Sequence, residues 1–128
     1  MKKSINNINF EDLLSNDPKV KYGCAKNLLV LAKNNPAKLY SHFDYLTGLL
    51  DSDNQILKWT AIDIIGHLSK VDKEKKVDRL IGKLLSLLNT GKMITANHVI
   101  ATLANIALIK PEFQRKITNE LLKVESYN

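Results

Sequence analysis

A single cysteine, Cys24, is the only thiol in 128 residues, so no intramolecular disulfide can form and a reducing compartment suits the chain. Three prolines and five glycines are few for the many turns of an all-β fold. No apolar run approaches the roughly 18 residues of a membrane span. The start, Met1-Lys2-Lys3-Ser4-Ile5-Asn6-Asn7, is basic but leads into Phe10-Glu11-Asp12 rather than an apolar signal core. A cytoplasmic protein without membrane association is the expectation. Arginine is scarce as well: Arg79 and Arg115 stand against seventeen lysines. Surfaces specialised for phosphate use the planar guanidinium fork more heavily. The formal charge of +6 is also spread thinly, with seven basic and four acidic side chains in 1–50, seven and six in 51–90, and five and three in 91–128. That distribution favours a solvated lysine surface, with diffuse nucleic-acid affinity as the second reading.

Motifs of known chemistry are missing too. There is no glycine-rich phosphate loop, no Cys-x-x-Cys and no His-Glu-x-x-His, and His42, His67 and His98 are scattered singly without metal-ligand spacing. No metal, no cofactor and no catalytic residue is expected, and the chain is not read as an enzyme.

What remains is an ordinary globular composition, 45% apolar and 25% charged, at a length that suits one domain over 1–128. Residues 1–7 are expected to form a disordered tail. Asp17-Pro18 and Asn35-Pro36 each place a capping side chain before a proline at the first helical position, and Lys110-Pro111-Glu112 opens a further helix. Asp51-Ser52-Asp53-Asn54 and Asn89-Thr90-Gly91 read as polar turns. These marks predict helices over 8–15, 18–33, 36–50, 54–70, 73–89, 92–109 and 111–125.

The apolar pattern inside these segments is helical. Leu39, Phe43, Leu46 and Leu50 form one stripe, and Val77, Ile81, Leu84 and Leu88 repeat it 38 residues later. The intervening helices shift by 37 and then 38: Cys24 maps to Ala61 and Val99, Leu28 to Ile65 and Leu103, and Leu31 to Leu68 and Ile106. Phe10 and Leu14 extend the pattern upstream, 36 residues before Leu46 and Leu50. Cys24, at a position filled elsewhere by Ala61 and Val99, reads as small core packing rather than a reactive thiol. A fixed period of this size indicates an array of helical hairpins, each burying its apolar face against the next.

Asp17-Pro18-Lys19-Val20-Lys21 and Ser52-Asp53-Asn54-Gln55-Ile56-Leu57-Lys58, each followed by a small residue at Cys24 or Ala61 and an apolar one at Leu28 or Ile65, resemble the HEAT-like (armadillo-type) helical repeat. The resemblance covers about residues 10–125. The third unit departs from it, with Gly91 in place of the Asp and Thr95-Ala96 in place of the apolar–basic pair. It implies an all-α, right-handed α-α superhelix of about seven helices, three hairpins with flanking helices, that acts as a scaffold for a partner protein or peptide. It further implies that 18–33, 54–70 and 92–109 line the concave, partner-binding face. The helix over 111–125 would then cap the stack or belong to a longer array, or offer its apolar area to another hairpin or a second copy.

On that face Tyr22, Trp59 and Asn97 share one level; Lys26, Asp63 and Ala101 the next; Val30, His67 and Asn105 the one after. Trp59, Asp63 and His67 lie along one helix face at i, i+4 and i+8, bordered by Lys21, Lys58 and His98. The candidate binding residues are therefore Tyr22, Lys26, Lys58, Trp59, Asp63, His67 and His98. The reading of Trp59 as a cover for the seam between repeats, with Asp63 and His67 solvated, ranks ahead of a binding role. HEAT-like DNA glycosylases use a Trp and an Asp on the concave wall, a pair that Trp59 and Asp63 resemble. A second Trp is missing and arginine is poor, so that enzymatic reading ranks below both protein and nucleic-acid binding.

Overall fold

The computed structural model describes residues 9–126, and the expected N-terminal tail lies outside them. The described chain is all-α: α1 (Pro18–Asn34), α2 (Pro36–Tyr40), α3 (Phe43–Gly48), α4 (Gln55–Leu68), α5 (Lys76–Ser86), α6 (Met93–Ile109) and α7 (Gln114–Ser126), joined by short 3₁₀ turns. Of the two expected caps Asp17 acts and Asn35 makes no side-chain cap hydrogen bond before Pro36, while Asn54, at the end of the expected polar turn, caps α4. Asp17 accepts from the Lys19 amide at 3.0 Å ahead of Pro18, and Asn54 accepts from the Leu57 amide at 3.1 Å.

Three segments differ from the sequence expectation. The first is a 3₁₀ helix, Phe10–Leu14, not an α-helix. With three residues per turn, Phe10 and Leu13 share a side, so Leu13 is buried while Leu14 stands 75% exposed. The 36–50 helix is interrupted at Ser41-His42, where the His42 amide bonds to the Leu39 carbonyl three residues back. There Tyr40 turns inward beside Leu39, its hydroxyl donating to Asp72 at 2.6 Å and accepting from the Glu74 amide at 3.0 Å. The 73–89 helix begins only at Lys76, because Lys75 takes the left-handed conformation (φ 55°) and the Asp72 carboxylate reaches forward to accept from the Lys76 and Val77 amides at 2.9 Å.

The two long stripes are buried as the period requires. Leu39, Phe43, Leu46 and Leu50 are all sealed from solvent, as are Val77, Ile81, Leu84 and Leu88. Leu28, Ile65 and Leu103 are equivalent in burial, and so are Leu31, Leu68 and Ile106. All join one continuous core. At its centre α4 packs against α1 on one side and α6 on the other. Trp59 meets Thr95 in the first turns of α4 and α6, and Gly66 meets Thr102 further along both, so the two helices run in the same direction. Gly66 permits this approach: a Cβ there would lie 3.2 Å from both Thr102 Cγ2 and Oγ1, and the Thr102 hydroxyl donates to the Ile62 carbonyl at 3.0 Å.

Candidate binding face

Helical geometry leaves each of α1, α4 and α6 one stripe turned away from the core. On α1 it is Lys19, Gly23, Lys26, Val30 and Lys33, all exposed. On α4 and the 3₁₀ turn that follows it, it is Ile56, Thr60, Asp63, His67 and Lys70, exposed at the ends and half-buried between. On α6 it is Ile94, His98, Ala101, Asn105 and Leu108. The stripes are repeat equivalents, since Lys26, Asp63 and Ala101 differ by the same 37 and 38 residues that relate the buried positions.

Tyr22 and Trp59 do not stand free on this surface. Each reaches the N-terminal end of the next helix: the Tyr22 hydroxyl accepts from the side-chain amide of Asn54, the N-cap of α4, at 3.1 Å, and the Trp59 indole N–H donates to the buried Thr95 hydroxyl at 2.9 Å. They hold the seams α1–α4 and α4–α6. The Trp59 ring also stacks on His98, centroids 5.5 Å apart and planes within 7°. His98 Nδ1 lies 2.9 Å from Asp63 Oδ1. A carboxylate only accepts, so Nδ1 carries the proton and donates. His98, a border residue in the sequence reading, is thus the centre of a Thr95–Trp59–His98–Asp63 cluster spanning α4 and α6. Within that cluster Trp59 donates to Thr95 and His98 donates to Asp63, so Asp63 is engaged with the imidazole.

His67 is half-buried one turn beyond Asp63, and its Nδ1 is enclosed without a hydrogen-bond partner. Burial, together with the Lys70 and Lys33 ammonium groups, holds the ring below the usual histidine value, with Asp63 opposing. Lys33 at the end of α1 and its repeat equivalent Lys70, in the turn after α4, therefore converge on the same end of the face. Lys26 is exposed, and Lys21 and Lys58 are half-buried at its edge. None of Lys19, Lys26, Lys33 or Lys70 forms an ion pair with a described residue. Cys24 is half-buried with its Sγ 3.4 Å from the Asn9 carbonyl, at the contact with the first 3₁₀ segment. Among the described residues no group of three His, Cys, Asp or Glu is placed to hold a metal ion. Nor is any helix there long and apolar enough to cross a membrane.

A second polar cluster lies inside the protein and was not anticipated. Asp72, its side chain 1% exposed, accepts from Tyr40, from the Lys76 and Val77 amides, and from Lys110 Nζ at 3.1 Å; Lys110 Nζ also pairs with Asp78 at 2.7 Å. Burial pushes the Asp72 carboxyl up, but the Tyr40 and Lys110 hydrogen bonds outweigh it and leave the group below its ordinary value. Burial likewise pushes Lys110 down, and Asp78 and Asp72 reverse it to a net rise. This network joins α2, the start of α5 and the end of α6. Its members come from elements far apart in the sequence, so local periodicity carries no sign of it.

Comparison with protein-family models, with curated proteins and with solved structures finds no match.

Proposed function

We propose that the chain is a short array of HEAT-like hairpins, wound as a right-handed α-α superhelix, that serves as a non-catalytic scaffold. It binds a partner protein or peptide on the face made by α1, α4 and α6. The observation that carries this reading is the set of accessible apolar side chains on the outward stripes of three adjoining helices, Val30 on α1, Ile56 on α4, and Ile94 and Leu108 on α6, beside unpaired lysines. A rigid surface of that kind loses little conformational entropy on binding. The polar groups best suited to chemistry, Asp63 and His98, are bonded to each other. A reducing, cytoplasmic setting suits a chain with a single cysteine, Cys24.

The four unpaired lysines favour one alternative, nucleic-acid binding through this face. A photo-crosslinker at Lys26 or Ala101 separates the readings when compared with one at the exposed Arg79 of α5, on the other row of helices. Capture of one defined protein from both open-face positions and not from Arg79 is expected. Capture only from Arg79 refutes the assignment. Duplex DNA binding that falls steeply with salt and is lost in Lys26→Glu moves it to the alternative.

A further inference from the structure

Across the open face the chemistry changes in one direction. The α1 stripe carries three cations, Lys19, Lys26 and Lys33, with Val30 among them; the α4 stripe exposes Ile56, holds Asp63 against His98 and ends in one unpaired cation, Lys70, in the following 3₁₀ turn; the α6 stripe has no Lys, Arg, Asp or Glu and exposes Ile94, Ala101 and Leu108. Leu108 is 77% exposed and Ile94 53%. Between α1 and α6 the repeat replaces each cation by an apolar group, Lys19 by Ile94, Lys26 by Ala101 and Lys33 by Leu108, with Ile56, Asp63 and Lys70 at the middle positions. A uniform polyanion such as a nucleic-acid backbone would use the basic third of this surface and leave the apolar third in water. Arginine, the preferred phosphate ligand, is absent from all three stripes. A ligand that satisfies both ends must itself be two-ended.

We propose that the open face takes an acidic–apolar peptide segment laid across the three helices, its carboxylates over Lys26 and Lys33 of α1 and its apolar side chains over Ile94 and Leu108 of α6. This rests on the reading that the open face binds a protein, and adds the partner's chemistry and orientation. Adjacent helix axes lie about 8–10 Å apart, so α1 to α6 spans roughly 20 Å. That is about six residues of extended chain at ~3.3 Å each, or about a dozen of helix at ~1.5 Å. The carboxylate block meets charges that have no other partner, and the apolar block covers side chains now facing water. The contact is complementary in both halves.

The test uses ¹⁵N-labelled full-length protein and a twelve-residue peptide with a block of Asp and Glu followed by a block of Leu and Val. Controls are the same composition in alternating order, a version with Lys in place of the acids, and a twenty-nucleotide oligo-dT. The block peptide is expected to bind several-fold more tightly than the alternating one, moving amide resonances near Lys26, Lys33, Ala101 and Leu108. Lys26→Glu with Lys33→Glu weakens it roughly tenfold, as does Leu108→Asp, without loss of helicity, because these side chains are exposed. Equal affinity for the alternating peptide overturns the two-ended arrangement. Equal affinity for the lysine peptide on the same resonances overturns the acidic preference while leaving the face as a protein-binding surface. Tighter, salt-sensitive binding of oligo-dT overturns the peptide assignment. Resonance changes confined to α5 and α7 sink both this proposal and the reading beneath it.

Discussion

Lys110 is the most revealing residue to remove. Its ammonium, on a side chain only 11% exposed, is shared between Asp72 at 3.1 Å and Asp78 at 2.7 Å. Lys110→Met keeps the apolar stem but leaves two carboxylates in one enclosed site with no cation between them. Breaking a buried pair in this way costs about 3–5 kcal/mol. Asp72 retains Tyr40 and two backbone amides, so the lower end, about 3 kcal/mol, applies. For a domain of this size that is roughly a 10–15 °C fall in Tm. Urea unfolding followed by circular dichroism measures it directly. The pH dependence supplies a second signature. Asp72 titrates below its unfolded value, so its contribution is present in full above the ordinary carboxylate pKa and is lost as pH falls through the lower, folded one. Tyr40 and Lys110 are shifted upward, the tyrosine by burial first and by Asp72 second. Their contributions hold below the ordinary values of about 10 and are lost at higher pH. The stability gap between wild type and Asp72→Asn is therefore widest between these limits and closes at acid pH. A loss under 1 kcal/mol in Lys110→Met, or a gap independent of pH, would refute the claim that this network holds α2, α5 and α6 together.

Other substitutions test separate parts of the account. Leu13→Ala should cost about 2–4 kcal/mol and Leu14→Ala within about 0.5, the reverse of what an α-helical stripe through Phe10 and Leu14 requires; paired urea titrations decide it. Gly66→Val should destabilise by about 3 kcal/mol, from overpacking against Thr102 and loss of its bond to Ile62, and chemical denaturation checks this. His67 titrates below its unfolded value, so the unfolded chain takes up a proton first. Stability should be complete above about pH 6.5 and decline as pH falls through the folded value, whereas His67→Gln should show no such decline between pH 7 and 5 in thermal melts.

The contrast between what the chain's pattern foretold and what it did not has a physical basis. Burial of Leu39, Phe43, Leu46 and Leu50 follows from local periodicity, since residues three and four apart share a helix face whatever lies opposite. The same rule placed Trp59, Asp63 and His67 on one face. It is silent on partners, and so the bond between Asp63 and His98, 35 residues apart, appears only when α4 and α6 are side by side. The break at Ser41-His42 is of the same kind, because it accompanies a tertiary contact, Tyr40 with Asp72, 32 residues away. The misassigned Leu14 arose differently: over five residues an apolar pair at 10 and 14 and one at 10 and 13 are equally available, and the 3₁₀ turn selected the latter. Lys75 offers no sequence cue, since a lysine in the left-handed region is uncommon, and Asp72 caps the helix from beyond it.

Single-row stacking is the claim on which the binding face depends, and spin labels test it. With Cys24→Ala as background, labels at Lys19, Ile56 and Ile94, which are exposed and repeat-equivalent, report the order of α1, α4 and α6 by dipolar coupling. Stacking in one row gives neighbour separations consistent with helix axes about 10 Å apart and a Lys19–Ile94 separation close to their sum. Three similar separations, as in helices bundled about a common axis, would contradict it.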